Sequence, residues 1–275
     1  MSCAALRQSE GAALHMRAIV KSASIRAALA GMPILRACED AVLDVLEEGA
    51  QFVRFGSGAS VFERGSMPTG LFFVHAGAVR LMSLCPEGRP KVVEIFEPGG
   101  MFGEIGVFTG HCYRTWTQAI GASVLVHVPR ERMLEAVAMD NALSNRMLTA
   151  VCARIQRLVD AISSTASGTA SLRVASYLLE QLERSPRTDA CIVLPAPKKA
   201  IASLLNLTPE TLSRVLRSMV EDGVLTVGGR RIHVRDRSLL AAMVSSGKDD
   251  PNQFEGTGSL SDFKPADGIP AGGFS

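Results

Sequence analysis

Residues 206–225 read NLTPETLSRVLRSMVEDGVL. Thr208 is a favoured helix N-cap, proline suits the first helical position, and Glu210 in the first turn meets the positive end of the helix dipole. Leu212, Val215, Leu216 and Met219 recur at helical spacing and form a packing face. Glu210, Thr211, Ser213, Arg214 and Arg217 are left for the opposite side. Upstream, AIASLLNL (200–207) supplies Ala200, Ile201, Leu204 and Leu205 as the packing face of a preceding helix. Asn206 then takes the tight turn, because asparagine tolerates the left-handed conformation. Two short helices joined in this way make a helix-turn-helix.

The second helix carries the chemistry of base reading. Arginine can bond bidentately to guanine, a carboxylate accepts from the cytosine amino group, and hydroxyls serve base or phosphate. Glu210, Ser213 and Arg214 are therefore the expected base contacts. Lys198, Lys199, Thr208, Thr211, Arg217, Arg230 and Arg231 are the expected phosphate contacts. Around this pair, LRVASYLLEQLE (172–183) forms an amphipathic helix with Ser171 as its N-cap, and VLTVGGRRIHVRD (224–236) forms a hairpin through Gly228–Gly229. Helices and hairpin together describe a winged helix-turn-helix over 171–245.

The overall net charge of +2 conceals an uneven distribution. Residues 171–240 hold eleven Lys/Arg against seven Asp/Glu, whereas 246–275 hold two Lys against five Asp/Glu. The basic segment suits a phosphate partner. The tail from 246 is too rich in Gly, Pro, Asp and Ser to fold, and is expected to be disordered.

Toward the N-terminus the period changes. QFVRF (51–55), LFFVHAG (71–77), AVRLMSL (78–84), KVVEIFEPG (91–99) and ASVLVHVP (122–129) are short apolar runs separated by glycine-rich turns, the pattern of an antiparallel β-roll or barrel. One short helix is expected within PILRACEDAVLDVLEEGAQFV (33–53), after a weakly patterned extension over 1–30. After Pro129, Leu143, Met147, Val151, Ile155, Leu158 and Ile162 step by four, four, four, three and four residues. They are read as a dimer seam on one long helix. SSTASGTAS (163–171) interrupts it as a hinge. The expected architecture is thus α+β. It comprises the extension, a β-roll sensor over 31–130, a dimerisation helix and hinge over 131–170, the DNA-binding unit over 171–245, and the tail.

Six cysteines stand at 3, 38, 85, 112, 152 and 191 without a CxxC pair, as reduced thiols in the cytoplasm do. The N-terminus lacks the apolar core of a signal peptide, and no run reaches membrane-spanning length. A cytoplasmic protein without a membrane partner is expected. No P-loop, no HExxH and no Ser/His/Asp grouping points to catalysis or to a metal site, so the chain is read as a non-enzyme.

These residues resemble the bacterial CRP/FNR family over about 35–240, the family of the cyclic-AMP receptor protein and the oxygen-responsive fumarate-nitrate reduction regulator. FGEIGVFTGHCYRT (102–115) resembles its effector-pocket cassette, and LTPETLSRVLR (207–217) its recognition helix. The order Glu210, Ser213, Arg214 is similar to the oxygen-sensor branch. The resemblance implies a homodimer on double-stranded DNA, a palindrome of TTGA-like half-sites with Arg214 on the guanine, RNA polymerase as a partner and a small-molecule effector. It also places Gly103, Glu104, Arg114 and Thr115 at the cyclic-nucleotide positions, with Arg114 for the cyclic phosphate and Glu104 for a ribose hydroxyl. Nucleotide-binding relatives carry Thr-Ser on the long helix where this chain has Leu158–Val159–Asp160.

The input stays open at this level. A cyclic nucleotide is one candidate. Haem through His75, His111 or His127, beside Cys112, is a second. Thiol redox chemistry, another small ligand, or no ligand complete the set. An iron–sulfur cluster is disfavoured because only Cys3 and Cys38 precede the roll. A cyclic-nucleotide-binding module acting on a protein partner is the competing class, and the winged helix-turn-helix argues against it.

Overall fold

The computed structural model describes residues 24–167, 169–184 and 190–246. Helices α1 (Ile25–Gly31) and α2 (Asp40–Glu47) lead into strands β1 (Gln51–Phe55), β2 (Gly70–Ala76), β3 (Val79–Leu84), β4 (Pro90–Phe96) and β5 (Met101–Phe102). Helix α3 (Glu104–Thr109) is followed by β6 (Trp116–Ala119) and β7 (Ser123–Pro129). The strands form two antiparallel sheets in the orders β1-β7-β2-β5 and β4-β3-β6, which face each other as a roll. The five expected runs are β1, β2, β3, β4 and β7. The two-residue β5 and four-residue β6 carry too little alternation to be read from sequence.

Between the sheets lie Val53, Phe62, Phe72, Val74, Phe96, Phe102 and Tyr113. The outer face of the larger sheet is covered by α1, α2 and the helices that follow the roll. The turn after β2 requires glycine: Gly77 has φ +82°, and a Cβ there would sit 2.5 Å from the Ser123 Oγ.

α1 lies almost wholly within the expected weakly patterned extension over 1–30, yet it belongs to the core. Ser24 caps it, accepting from the Ala27 amide, and Leu29 is fully buried beneath α2 and the sheet. Residues 1–23 lie outside the described residues.

Two helices, not one, follow the roll: α4 (Arg130–Met139) and α5 (Asn141–Ser167). Asp140 separates them because its carboxylate accepts from the amides of Ala142 and Leu143 at 2.7 and 3.0 Å, which starts a new helix. The expected seam is also corrected. Leu143 and Met147 are buried in their own roll's core, and Val151 and Leu158 are half-buried. The exposed apolar positions are Leu148 (62%), Ile155 (54%) and Val159 (49%). With Cys152 they step by four, three and four residues, the spacing of a coiled-coil seam. The Ile162 side chain lies outside the described residues. α5 runs through Ser163–Ser167, which corrects the expected hinge over those residues; residue 168 lies outside the described residues.

The C-terminal unit contains α6 (Ala170–Arg184), β8 (Cys191–Val193), α7 (Lys198–Leu204), α8 (Pro209–Glu221), β9 (Leu225–Gly228), β10 (Arg231–Val234) and α9 (Arg237–Ser246). The cap of α6 is Thr169, which accepts from the Leu172 amide, and not Ser171. The expected hairpin is β9–β10; β8 adds a third strand in the order β8-β10-β9. α9 was not anticipated, and it seals the unit with the fully buried Leu240. The tail beyond 246 lies outside the described residues.

The unit sits on the roll. Ile95 and Ile120 pack against its core, and the Val92 amide donates to the Ser203 Oγ at 3.1 Å. β4 is a sheet edge, and α7 covers it.

If α1 belongs to the core, Leu29→Ala leaves a cavity and costs about 2–5 kcal/mol in urea unfolding of the full chain. A loose extension would leave the midpoint unchanged.

Candidate DNA-reading face and effector cassette

The helix start expected at Thr208 is present. Its Oγ1 accepts from the Thr211 amide at 3.2 Å, Pro209 takes the first helical position, and Asn206 adopts φ +55° in the turn. Leu212, Val215, Leu216 and Met219 are buried in the unit's core. Glu210, Ser213, Arg214 and Arg217 are exposed, and Thr211 is half-buried. Glu210's own amide, with help from the Thr208 hydroxyl, holds its carboxyl below the usual range, so it faces solvent as an anion. Ser213 donates its proton to the Pro209 carbonyl at 2.8 Å. In this rotamer it offers a partner lone pairs only.

Around the helix, Lys199 and Arg231 are exposed and Lys198 is half-buried. Arg230 is exposed too, and part of its guanidinium is engaged within the unit. Its Nε donates to the Leu194 carbonyl at 2.9 Å and Nη2 joins the same oxygen, bracing the wing against the segment before α7. Arg173 of α6 donates to the Asn206 carbonyl at 3.4 Å, at the turn itself.

The cassette residues separate. Gly103 has φ +94°, and a Cβ there would meet the Gly70 carbonyl at 3.2 Å. It therefore starts α3 where other residues are strained. Glu104 is only 5% exposed, whereas Arg114 is exposed and Thr115 half-buried. Arg114 makes no ion pair among the described residues, and the partner of Glu104 is Arg154 of α5. Arg154 also binds Glu94 of β4 and lies over the Phe96 ring, 4.9 Å from its centroid. Burial pushes the Glu104 carboxyl up, with the Arg154 charge opposing. Sequence reading missed Arg154 because a cation beside an apolar helical stripe is ordinarily a solvent-facing neighbour.

Aromatic rings occupy the space beside this cluster. Phe62 stacks on Tyr113 at 3.7 Å, and Phe102 stacks between Phe72 and Phe96 at 5.4 and 5.0 Å. The candidate haem ligands are not gathered together. His127 is buried, bonded to the Thr69 hydroxyl at 3.2 Å and packed on Phe72, while His75 and His111 are exposed. The Cys112 thiol lies 3.2 Å from the Met67 sulfur at the surface. Cys38 is half-buried with Arg146 Nη2 3.1 Å from its sulfur, and Cys3 lies outside the described residues. No helix among the described residues is long and apolar enough to cross a membrane.

Replacing Arg154 with methionine strands the buried Glu104 carboxylate, a loss of about 3–5 kcal/mol by urea unfolding. The stranded Glu104 carboxyl, already raised by burial, titrates above its unfolded value, so the folded variant binds more protons than its unfolded chain as pH falls. The deficit relative to wild type is therefore expected to shrink from about pH 8 to about pH 5. A deficit independent of pH would contradict the ion-pair assignment.

Residues 52–140 match the cyclic nucleotide-binding domain family and residues 172–243 the Crp-like helix-turn-helix domain. The chain is 30% identical over 196 residues to the nitrogen fixation regulation protein FixK of Azorhizobium caulinodans, covering 70% of this chain and 78% of that one. It is 24% identical to a CRP-like cAMP-activated global transcriptional regulator of Mycobacterium tuberculosis, covering 78% and 96%. Among solved structures, FixK2 of Bradyrhizobium japonicum superposes with a TM-score of 0.64 at 26% identity, covering 70% of this chain and 96% of that one. Both domain matches fall on the roll and the winged helix-turn-helix, in the order the fold displays. The chain belongs to the CRP/FNR family of transcription regulators.

Proposed function

We propose that this regulator is a homodimer that reads a palindrome of TTGA-like half-sites, with Arg214 on the guanine and Glu210 and Ser213 beside it. The carrying observation is the capped α8, which buries its leucine face and turns Glu210, Ser213, Arg214 and Arg217 to solvent. Lys198, Lys199, Thr208, Thr211, Arg217 and Arg231 surround that face as phosphate contacts. The exposed Leu148, Ile155 and Val159 of α5 supply the seam to a second copy, which places two reading helices about one turn of DNA apart. RNA polymerase is the proposed downstream partner, and the setting is the cytoplasm.

The roll is the regulatory domain, with Gly103, Glu104, Arg114 and Thr115 as its cassette. A cyclic nucleotide would use Glu104 for a ribose hydroxyl, and to do so must displace Arg154. That occupancy favours a regulator that binds DNA without added nucleotide. Two features add to this: Leu158 and Val159 stand where nucleotide-binding relatives carry Thr-Ser, and aromatic rings pack the roll.

By fluorescence anisotropy on a TTGA palindrome, purified protein is expected to bind without nucleotide, and saturating cyclic AMP is expected to leave the affinity unchanged. Binding that appears only with cyclic AMP would reverse the reading of the cassette. Arg214→Ala should cost about 1–3 kcal/mol and relax preference at the guanine. Unaltered affinity and base preference would show that Arg214 does not read the base. In sedimentation, Ile155→Asp should convert the dimer to monomer; a persisting dimer would place the seam elsewhere.

A further inference from the structure

Strand β4 presents opposite faces to the two halves of the molecule. Glu94 stands across the sheet from Leu81, and Phe96 across from Val79, with Leu81, Phe96 and Val79 all in the core between the sheets. Glu94 therefore points into the roll, where it meets Arg154. Ile95, paired with Arg80, points outward and packs against the winged helix-turn-helix. Glu97 follows on the same side. Burial raises its carboxyl, and the charges of Arg184 and Arg230 from the DNA-binding unit pull it back. The Val92 amide completes the contact through the Ser203 hydroxyl.

Helix α5 makes the same connection a second time. Arg157 reaches Glu94 at 3.6 Å and Glu180 of α6 at 3.9 Å, and Glu180 in turn holds Arg184 at 2.7 Å. Ion pairs thus run from Glu104 through Arg154, Glu94, Arg157 and Glu180 to Arg184, out of the cassette and into the DNA-binding unit. The outer links are half-exposed and weak singly. The inner cluster is desolvated, so removing one partner leaves an uncompensated charge. In this arrangement the reading residues of α8 are open to solvent.

We propose that β4, with Arg157 as the positioning residue, couples the carboxylate cluster of the roll to the seating of the winged helix-turn-helix. While Arg154 holds Glu94 and Glu104, the DNA-binding unit stays seated with its reading face free. A ligand or modification that draws Arg154 off Glu94 unseats it. The proposal rests on the reading of the roll as a regulatory domain, and it names the device by which that domain acts.

The Val92 amide is a reporter of seating that needs no DNA. Hydrogen exchange would be measured on the full chain as wild type, as Glu94→Gln, which keeps shape and removes charge, and as Arg157→Ala at an exposed site. Both variants are expected to speed exchange at Val92 by about fivefold or more. The amides of Leu125 and Val126, in the middle strand β7, should keep their wild-type rates. DNA affinity should fall in both variants. Wild-type exchange at Val92 in both would overturn the proposal, and so would equal acceleration at Val92 and β7, which would signify general loosening. A wild-type protein that ignores the TTGA palindrome would instead contradict the proposed DNA target, with the Val92 result still standing on its own.

Discussion

One guanidinium organises the junction of this molecule. Arg154 leaves α5, crosses the face of Phe96 and binds two carboxylates, Glu94 on β4 and Glu104 at the start of α3. Glu104 is the buried one of the two, and Arg154 is its counter-charge, because desolvation of a lone charge costs several kcal/mol. The roll thereby gains a fixed relation to the long helix, and β4 gains a fixed relation to both. The outer face of β4 is the seat of the winged helix-turn-helix, so the same guanidinium lies beneath the contact between the two units.

Family membership leaves the input of such a regulator unspecified. In this chain the cassette spacing of Gly103, Glu104, Arg114 and Thr115 is retained while its members do different work. Gly103 supplies a left-handed backbone, Glu104 is already paired, and Arg114 faces solvent. A retained spacing thus coexists with an internal counter-ion for Glu104.

The DNA-reading helix was legible in the sequence because its signals are local. The Thr-Pro-Glu start, the left-handed Asn206 and the period of Leu212, Val215, Leu216 and Met219 each act within a few residues, and all agree with the structure. The long strands were legible for the same reason. What failed was whatever depends on distant neighbours. Leu143 and Met147 share the apolar period of α5, but the adjacent roll claims them, so the exposed stripe rotates to Leu148, Ile155 and Val159. The Arg230 bonds to the Leu194 carbonyl, 36 residues away, likewise have no local signal. Arg154 carries no local signal at all, because its two partners lie 60 and 50 residues away in sequence.

The central claim is that two copies read one palindrome in fixed register through Arg214 and its neighbours. Its most direct measurement is the affinity of the wild-type protein for two TTGA palindromes, one with half-sites spaced by a full helical turn and one with about 5 base pairs inserted. The account predicts tight binding to the first and a loss of sequence-specific binding to the second, because the insertion rotates one half-site to the opposite side of the DNA. Equal affinity for both would contradict a rigid dimer and the seam on α5 with it.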